Sequence, residues 1–549
     1  MKYMINNSKF CSGFLIAALL IFINFGCTKN FEKYNTSNLS VSVDMASAFK
    51  HIMMAPVNFS GGGDPNSYQV QQNLSADAFS GYHMCAHFGA PNNMTYALNP
   101  GWNGEMFKVG YLDGMRYVSL IKNMGVDTKY PAAWAVAQIM QIECMHRVTD
   151  YYGPIPYSHA GPLENGQTGS VYDSQQDVYN EFFLQLDTIV TNLKAFISSG
   201  QKLPFDFSTM DLIYGNNPSN EFQNWLSYAN SLRLRLAIRI SNVDPATAKI
   251  QGEKALDPNN GGVLTDNSQI VQVQIPAGNF SNPLVAIAKN WVQTNIGASI
   301  QCYMTGYKDP RIGKYMDTCS NVAKYGKYRG IRVGTNPQPN ESAYSGYSTI
   351  NFKDGATPSF NLQTPVVLMT TAEVYFLRAE AALRNWSNAG GTADQLYEQG
   401  VQTSFNQWNA GSATTYLNDN TSVPDAYNDP LDAGNNASSP SSITVKWDDN
   451  ASNEQKLERI ITQKWIANFP EGMEGWTEFR RTGYPKLFPV VINSSGGTIN
   501  TAVQIRRIPF SQDEYTLNNA EVIKAIQLLS TPADNGGTRL WWDTGKPNF

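Results

Sequence analysis

Apolar residues recur at steps of three and four along several stretches of the chain, which predicts amphipathic helices there. Over 177–196 the stripe is Val178, Phe182, Leu186, Ile189, Leu193 and Phe196. Over 221–240 it is Phe222, Trp225, Ala229, Leu232, Leu236 and Ile240, with Arg233, Arg235 and Arg239 on the opposite side. Pro131 suits a first helical turn, where its missing N–H costs nothing, and opens a helix to about Arg147. Trp134, Ala135, Ile139, Met140 and Ile142 make that helix apolar on most sides, so it should be central. Another helix fits 454–469 through Leu457, Ile461 and Trp465.

The segment 371–408 reads as a helical hairpin. Ala372, Phe376, Ala379 and Leu383 line one helix, and Glu380 can pair with Arg384 one turn on. Asn385 and the Gly390, Gly391 pair end it, and Ala393, Tyr397, Val401, Ser404 and Trp408 line a second. Small residues in both stripes let the two helices approach closely, as in a tetratricopeptide-type unit. Between helices the polarity pattern breaks down. The stretches 59–67, 215–220, 257–268 and 416–453 are rich in Gly, Asn, Asp, Ser and Pro. The last is far longer than an ordinary connection and suggests a functional surface or a mobile excursion. Val271–Ile275 and Tyr328–Val333 read as minor strands, and no strict internal repeat is visible.

Composition narrows the function classes. Of 549 residues only 15% are charged, below the ~25% of ordinary soluble domains, while aromatics reach 12%. Flat rings with neutral amides suit neutral polar ligands such as sugars, because rings stack on C–H faces and amides bond hydroxyls. Buried rings that hold loops down would give the same composition. The net charge is −5 without a basic run, which argues against nucleic-acid binding. At the N-terminus Lys2 and Lys9 precede an apolar run, Phe14 to Phe25, that ends at Gly26 and Cys27. The run is shorter than the ~20 residues of a membrane-spanning helix and reads as a cleaved leader. A small residue before a cysteine is where a lipoprotein signal peptidase cuts, although Asn24 stands where such signals prefer Leu. The predicted division is a signal peptide over 1–26 and a single domain over 27–549, with Cys27 as the acylated terminus. Cys85, Cys144, Cys302 and Cys319 are too sparse for a disulfide framework. A Cys302–Cys319 bridge and unpaired buried thiols both remain open.

Catalytic signatures fail on inspection. There is no G-x-S-x-G elbow, no phosphate-loop spacing around the Gly-Lys pairs at Gly313, Gly326 and Gly545, and no H-E-x-x-H. His83, Cys85 and His87, with Glu143, Cys144 and His146, offer soft metal ligands. On a helix, however, Cys85 would face away from both His83 and His87, so buried thiols and hydrogen-bonded imidazoles are expected rather than a metal. The turn at Asp257 lacks the bidentate Glu of a calcium loop. No cofactor is expected.

Several stretches carry a family resemblance. TQKWIANF at 462–469 and GWTEFRRTGYP at 475–485 resemble the SusD/RagB-like lipoproteins of Bacteroidota, particularly their second large subgroup. In matching order come Asn35 and Thr36, TDYYGPIPY at 149–157, ANSLRLR at 229–235, DPR at 309–311, and Glu373 with Ala379, Glu380 and Ala381. RRIPF at 506–510, with Glu514 and Asn518, completes the set. These motifs read as scaffold: Arg480 and Arg481 beside a Gly-Pro turn can tie the loop to carboxylates or helix C-termini.

The resemblance implies a mainly α fold, a superhelix of tetratricopeptide-like hairpins with long loops and few strands. It also implies a place on the outer membrane, held by the N-terminal lipid and probing the cell exterior, beside a SusC-like TonB-dependent transporter. Such proteins capture oligosaccharides, or in some relatives peptides as RagB-type proteins do, and perform no chemistry. A surface glycoside hydrolase, with two carboxyls across a cleft, is the enzymatic alternative. The motifs transfer no ligand-contacting residues. Residue type instead points to the loop 92–102, with Tyr96 and Trp102 as stacking platforms and Asn92 and Asn93 as hydrogen-bonding groups. Tyr303 and Tyr307 are further candidates, and the alternative for all these rings is loop anchoring.

Overall fold

Five helices that are distant in sequence meet through buried charges, and that meeting organises the fold. The computed structural model describes residues 44–58, 65–161, 169–338 and 340–549. The leader and Cys27 lie outside the described residues. Residues 48–549 form one unit; a separate unit covers 1–47, of which 44–47 are described and begin a helix.

Eight helices make the frame: α1 Pro131–Tyr152, α2 Gln175–Ser199, α3 Glu221–Arg239, α4 Pro245–Leu256, α5 Thr371–Leu383, α6 Ala393–Gln407, α7 Asn453–Asn468 and α8 Gly472–Thr482. Consecutive helices pack on one another from α1 to α4, then α5 on α6 and α7 on α8, while α5 also packs on α3 and α7. The starts are locally encoded. Ser174 accepts from the Asp177 N–H at 3.1 Å, Thr370 from that of Glu373 at 3.0 Å, and Ser452 from that of Gln455 at 3.3 Å. In the predicted hairpin α5–α6, Gly400 lets the helices close: a Cβ there would stand 2.9 Å from the Phe376 ring. Strands are minor. β1 His83–Met84 pairs with β3 Asn295–Ile296, and β2 Val271–Val273 with β4 Val366–Met369, both antiparallel.

Two expectations need correction, and the arginines of α3 need an account. Tyr328–Val333 is not a strand; Ile331 makes one isolated bridge to Gly297 and the rest of the segment is irregular. On α3, Arg233, Arg235 and Arg239 are all buried. The 416–453 stretch is tied down rather than free. Tyr427 and Ala437 form a bridge, and Asp429 accepts from the hydroxyls of Tyr344 (3.0 Å) and Tyr347 (2.6 Å).

Ion pairing accounts for Arg235 and Arg239. Arg235 bonds Glu373 on α5 at 2.8 Å, and Arg239 bonds both Asp150 on α1 and Glu474 on α8. Lys464 on α7 reaches Glu474 at 2.8 Å, and Arg147 lies 2.9 Å from Glu143. Arg481 forks onto Glu380 and Glu478, both at 2.7 Å, and Glu380 also holds Arg384 at 2.9 Å. Arg480 instead stacks on Trp476 and donates to the Asp150 carbonyl at 2.6 Å. Charges removed from water are tolerated only when paired and hydrogen-bonded this completely. Burial opposes ionisation of Glu474 and Glu143, yet Arg239 and Lys464 around the first and Arg147 and His146 around the second hold both carboxyls below the usual range. Glu380 is likewise held down, at about 2, by Arg481 and Arg384 against the cost of burial.

Candidate functional site

Near β1 the chain leaves the frame and builds an open aromatic surface. After Met84 it runs through Cys85 and Ala86, both buried, to His87, which is exposed, and Phe88, which is half-buried. Trp102 sits in a short helix, Pro100–Asn103, and meets Phe88 edge to face with centroids 5.7 Å apart. Both rings rest on a buried cluster that includes Met84, Met94, Tyr325, Tyr344 and Tyr347, with Leu431 of the tied-down loop packed on the same cluster. Each ring therefore has a supported side and an exposed remainder, which is the arrangement a stacking platform needs.

The rim is polar and mostly neutral. His87 Nδ1 lies 2.8 Å from Glu341, whose other oxygen accepts from Gln338 at 2.8 Å, and the Ala90 N–H donates to Asn336 at 3.1 Å. The hydrogen bonds from Gln338 and His87 hold the exposed Glu341 carboxyl below its ordinary range.

The structure separates the residues expected to bind. Asn92 accepts from the Met94 N–H at 2.8 Å and donates to the Gly89 carbonyl at 2.9 Å. Asn93 accepts from the Asn99 N–H at 2.6 Å and donates to Asn103. Both amides are spent on shaping the loop that presents Trp102. Tyr96 is buried against Phe79 in a left-handed backbone conformation, φ +64°. Tyr303 and Tyr307 are buried as well, donating to the carbonyls of Lys486 (3.0 Å) and Ile443 (2.9 Å), and they present no face to a ligand. Trp102 alone of the six keeps exposed ring surface. Phe88 precedes the loop that residue type points to, and Asn336 and Gln338 approach that loop from well over two hundred residues away, so no local signal marks them.

The metal candidates are dispersed. His83 is in β1, not a helix, and burial lowers its pKa to about 4; burial raises the Cys85 and Cys144 thiols to about 12. Among the described residues no group of three His, Cys, Asp or Glu side chains is placed to hold a metal, and Cys85, Cys144, Cys302 and Cys319 are all free and buried. No helix among them is long and apolar enough to cross a membrane.

Comparison with known proteins places these features. Residues 27–543 match the SusD-like family model, described as Susd and RagB outer membrane lipoprotein. A chitin-binding SusD homologue from Flavobacterium johnsoniae is 40% identical, with a TM-score of 0.84 over 92% of this chain and 99% of its own. SusD homologues from Bacteroides vulgatus and Bacteroides uniformis are 39% and 36% identical, with TM-scores of 0.82 and 0.80. They cover 92% and 91% of this chain, and 98% and 99% of their own. No curated protein matches.

Proposed function

The chain belongs to the SusD-like family of outer-membrane lipoproteins, and from that membership we propose that it captures oligosaccharides at the cell surface for a SusC-like TonB-dependent transporter. The half-exposed pair Phe88 and Trp102, rimmed by amides, is the observation that carries the reading. Sugars present C–H faces to such rings and hydroxyls to neutral donors and acceptors, and the surface needs no charge to hold them. A relative at 40% identity binds chitin, so β-1,4-linked N-acetylglucosamine oligomers are the first ligands to try. The role is binding without turnover. Cys27, once acylated, keeps the domain on the outer face of the membrane, and 27–549 acts as one capturing domain.

Two measurements test this. Trp102→Ala should weaken oligomer binding about tenfold or more in calorimetry, as loss of a central aromatic anchor does. Unchanged affinity would move the ligand elsewhere. Pull-down of the native lipoprotein from outer membranes should recover a TonB-dependent transporter, and failure to do so would remove the delivery step.

A further inference from the structure

A second cavity, sharing no residue with the Phe88–Trp102 surface, lies where the β2–β4 pair, the end of α6 and the turn between α7 and α8 meet. Its volume is about 410 Å³, within the ~300–1,000 Å³ of small-molecule sites. Ile270, Leu284, Phe360, Pro365, Val366 and Pro470 supply apolar wall.

Four other wall residues, Gln72, Asn267, Gln407 and Trp408, each carry a buried polar side-chain atom without a partner. Partner chemistry fixes the orientation of two of them. Gln72 Nε2 donates to the Asp77 carboxyl at 2.9 Å, which leaves its Oε1 unmatched. Asn267 Nδ2 donates to the Thr403 carbonyl at 3.0 Å, which leaves its Oδ1. Gln407 adds a third acceptor, Oε1, and Trp408 a donor, Nε1. The Trp408 ring is braced by Tyr315 at 4.7 Å and Phe360 at 5.8 Å. An unmatched buried polar group costs ~1–3 kcal/mol, and native proteins tolerate few of them. None of the four atoms is open to water, so a ligand in the cavity meets them only once these side chains turn toward it.

The charge of that partner follows from Glu471, the one charged wall residue. Its oxygens are taken by Arg147 at 3.1 Å and the Glu474 N–H at 2.9 Å, so no charge is left to neutralise a charged ligand. The unmatched groups are three amide oxygens and one indole N–H, and Gln272, Ser359 and Asn406 add neutral polar side chains to the same wall. Hydroxyls donate to any of the three and accept from the indole.

We propose that this cavity is a second binding site, for a neutral polyhydroxylated molecule the size of one or two sugar rings, held by Gln72, Asn267, Gln407 and Trp408. It stands independently of capture at the surface.

The test is calorimetry and ligand-observed NMR on the mature chain, with glucose, N-acetylglucosamine and their β-1,4 dimers as probes. At least one probe should saturate with low-millimolar affinity. Gln407→Leu and Trp408→Phe, which keep volume and ring, should each weaken it about three- to tenfold, with melting temperature recorded to confirm folding. Trp102→Ala should reduce capture of long oligomers while the short probe still binds, which separates the two sites. Three results would overturn the proposal: no probe saturating by about 20 mM, affinity unmoved in both cavity variants, or soaked crystals holding only ordered water there.

Discussion

Glu221 shows what one residue's surroundings do to its chemistry. It opens α3 beside the buried Asp211, whose oxygens accept from the Trp225 indole and the Ile213 and Tyr214 N–H groups. Burial, then the neighbouring Asp211 charge, push the Glu221 carboxyl up to about 9, so it stays protonated in the folded protein at neutral pH. Unfolding releases that proton above the ordinary carboxyl range. A raised folded pKa favours the native state at low pH, and that benefit declines as pH climbs from about 4.5 towards 9. Glu221→Gln keeps the shape and removes the titration. It should raise stability at pH 8 by about 1–3 kcal/mol and flatten the pH dependence across this window, as urea melts at several pH values would show. A variant as pH-sensitive as the parent would show that Glu221 does not hold the proton. The same scale explains why the candidate rings are hard to tell apart in sequence. Tyr96, Tyr303 and Trp102 look alike in sequence, and only tertiary packing decides which ring keeps an open face.

At the level of elements, local patterning carries far. The stripes of α2 and α7 and the α5–α6 hairpin follow from apolar spacing, and their ends from Ser174, Thr370, Thr392 and Ser452 at the caps. The helix α3 was legible in extent but not in environment, because a periodicity argument assigns charged residues to water and cannot see a carboxylate arriving from α5 or α8. Tyr328–Val333 failed for a related reason: β-prone residues form a strand only where a partner edge is available. Close approach in the hairpin is open to a direct check. Gly400→Val would force a side chain into the buried Phe376 ring and should cost about 1–3 kcal/mol by overpacking, seen as a lower melting temperature. A melting curve unchanged by the substitution would mean that the helices stand further apart.

Across the whole molecule, the stretches that carry the family resemblance converge in space. Asp150 comes from TDYY, Arg235 from ANSLRLR, Lys464 from TQKW, and Glu478 and Arg481 from GWTEFRR, and all join the buried ionic network. Family membership is therefore readable because it is written in the frame, whereas the candidate recognition surface is written in loops assembled from remote segments. Removing one charge should be severe: Arg481→Ala leaves Glu380 to Arg384 alone and takes the nearest partner from Glu478, and should cost about 3–5 kcal/mol. Glu380, held at about 2 in the folded chain, contributes stability that is complete above about 4.5 and fades as pH falls towards 2. Arg481→Met should therefore shift acid unfolding to higher pH, which a circular-dichroism titration would register; an unmoved midpoint would show that the pair carries no linkage. Cys27→Ser, in contrast, should leave melting and ligand affinity as they are and release the protein from the membrane fraction. Retention at the membrane would discount acylation at that position.

The ionic network has one more consequence, which concerns descent rather than energy. Because its charges hold the helices in register from within, the outward loops are relieved of that duty and can drift, lengthen or be exchanged while the frame persists. A lineage with such a chassis can meet a new diet by replacing the cartridge it carries, and the surface around Trp102 is our candidate for one such cartridge.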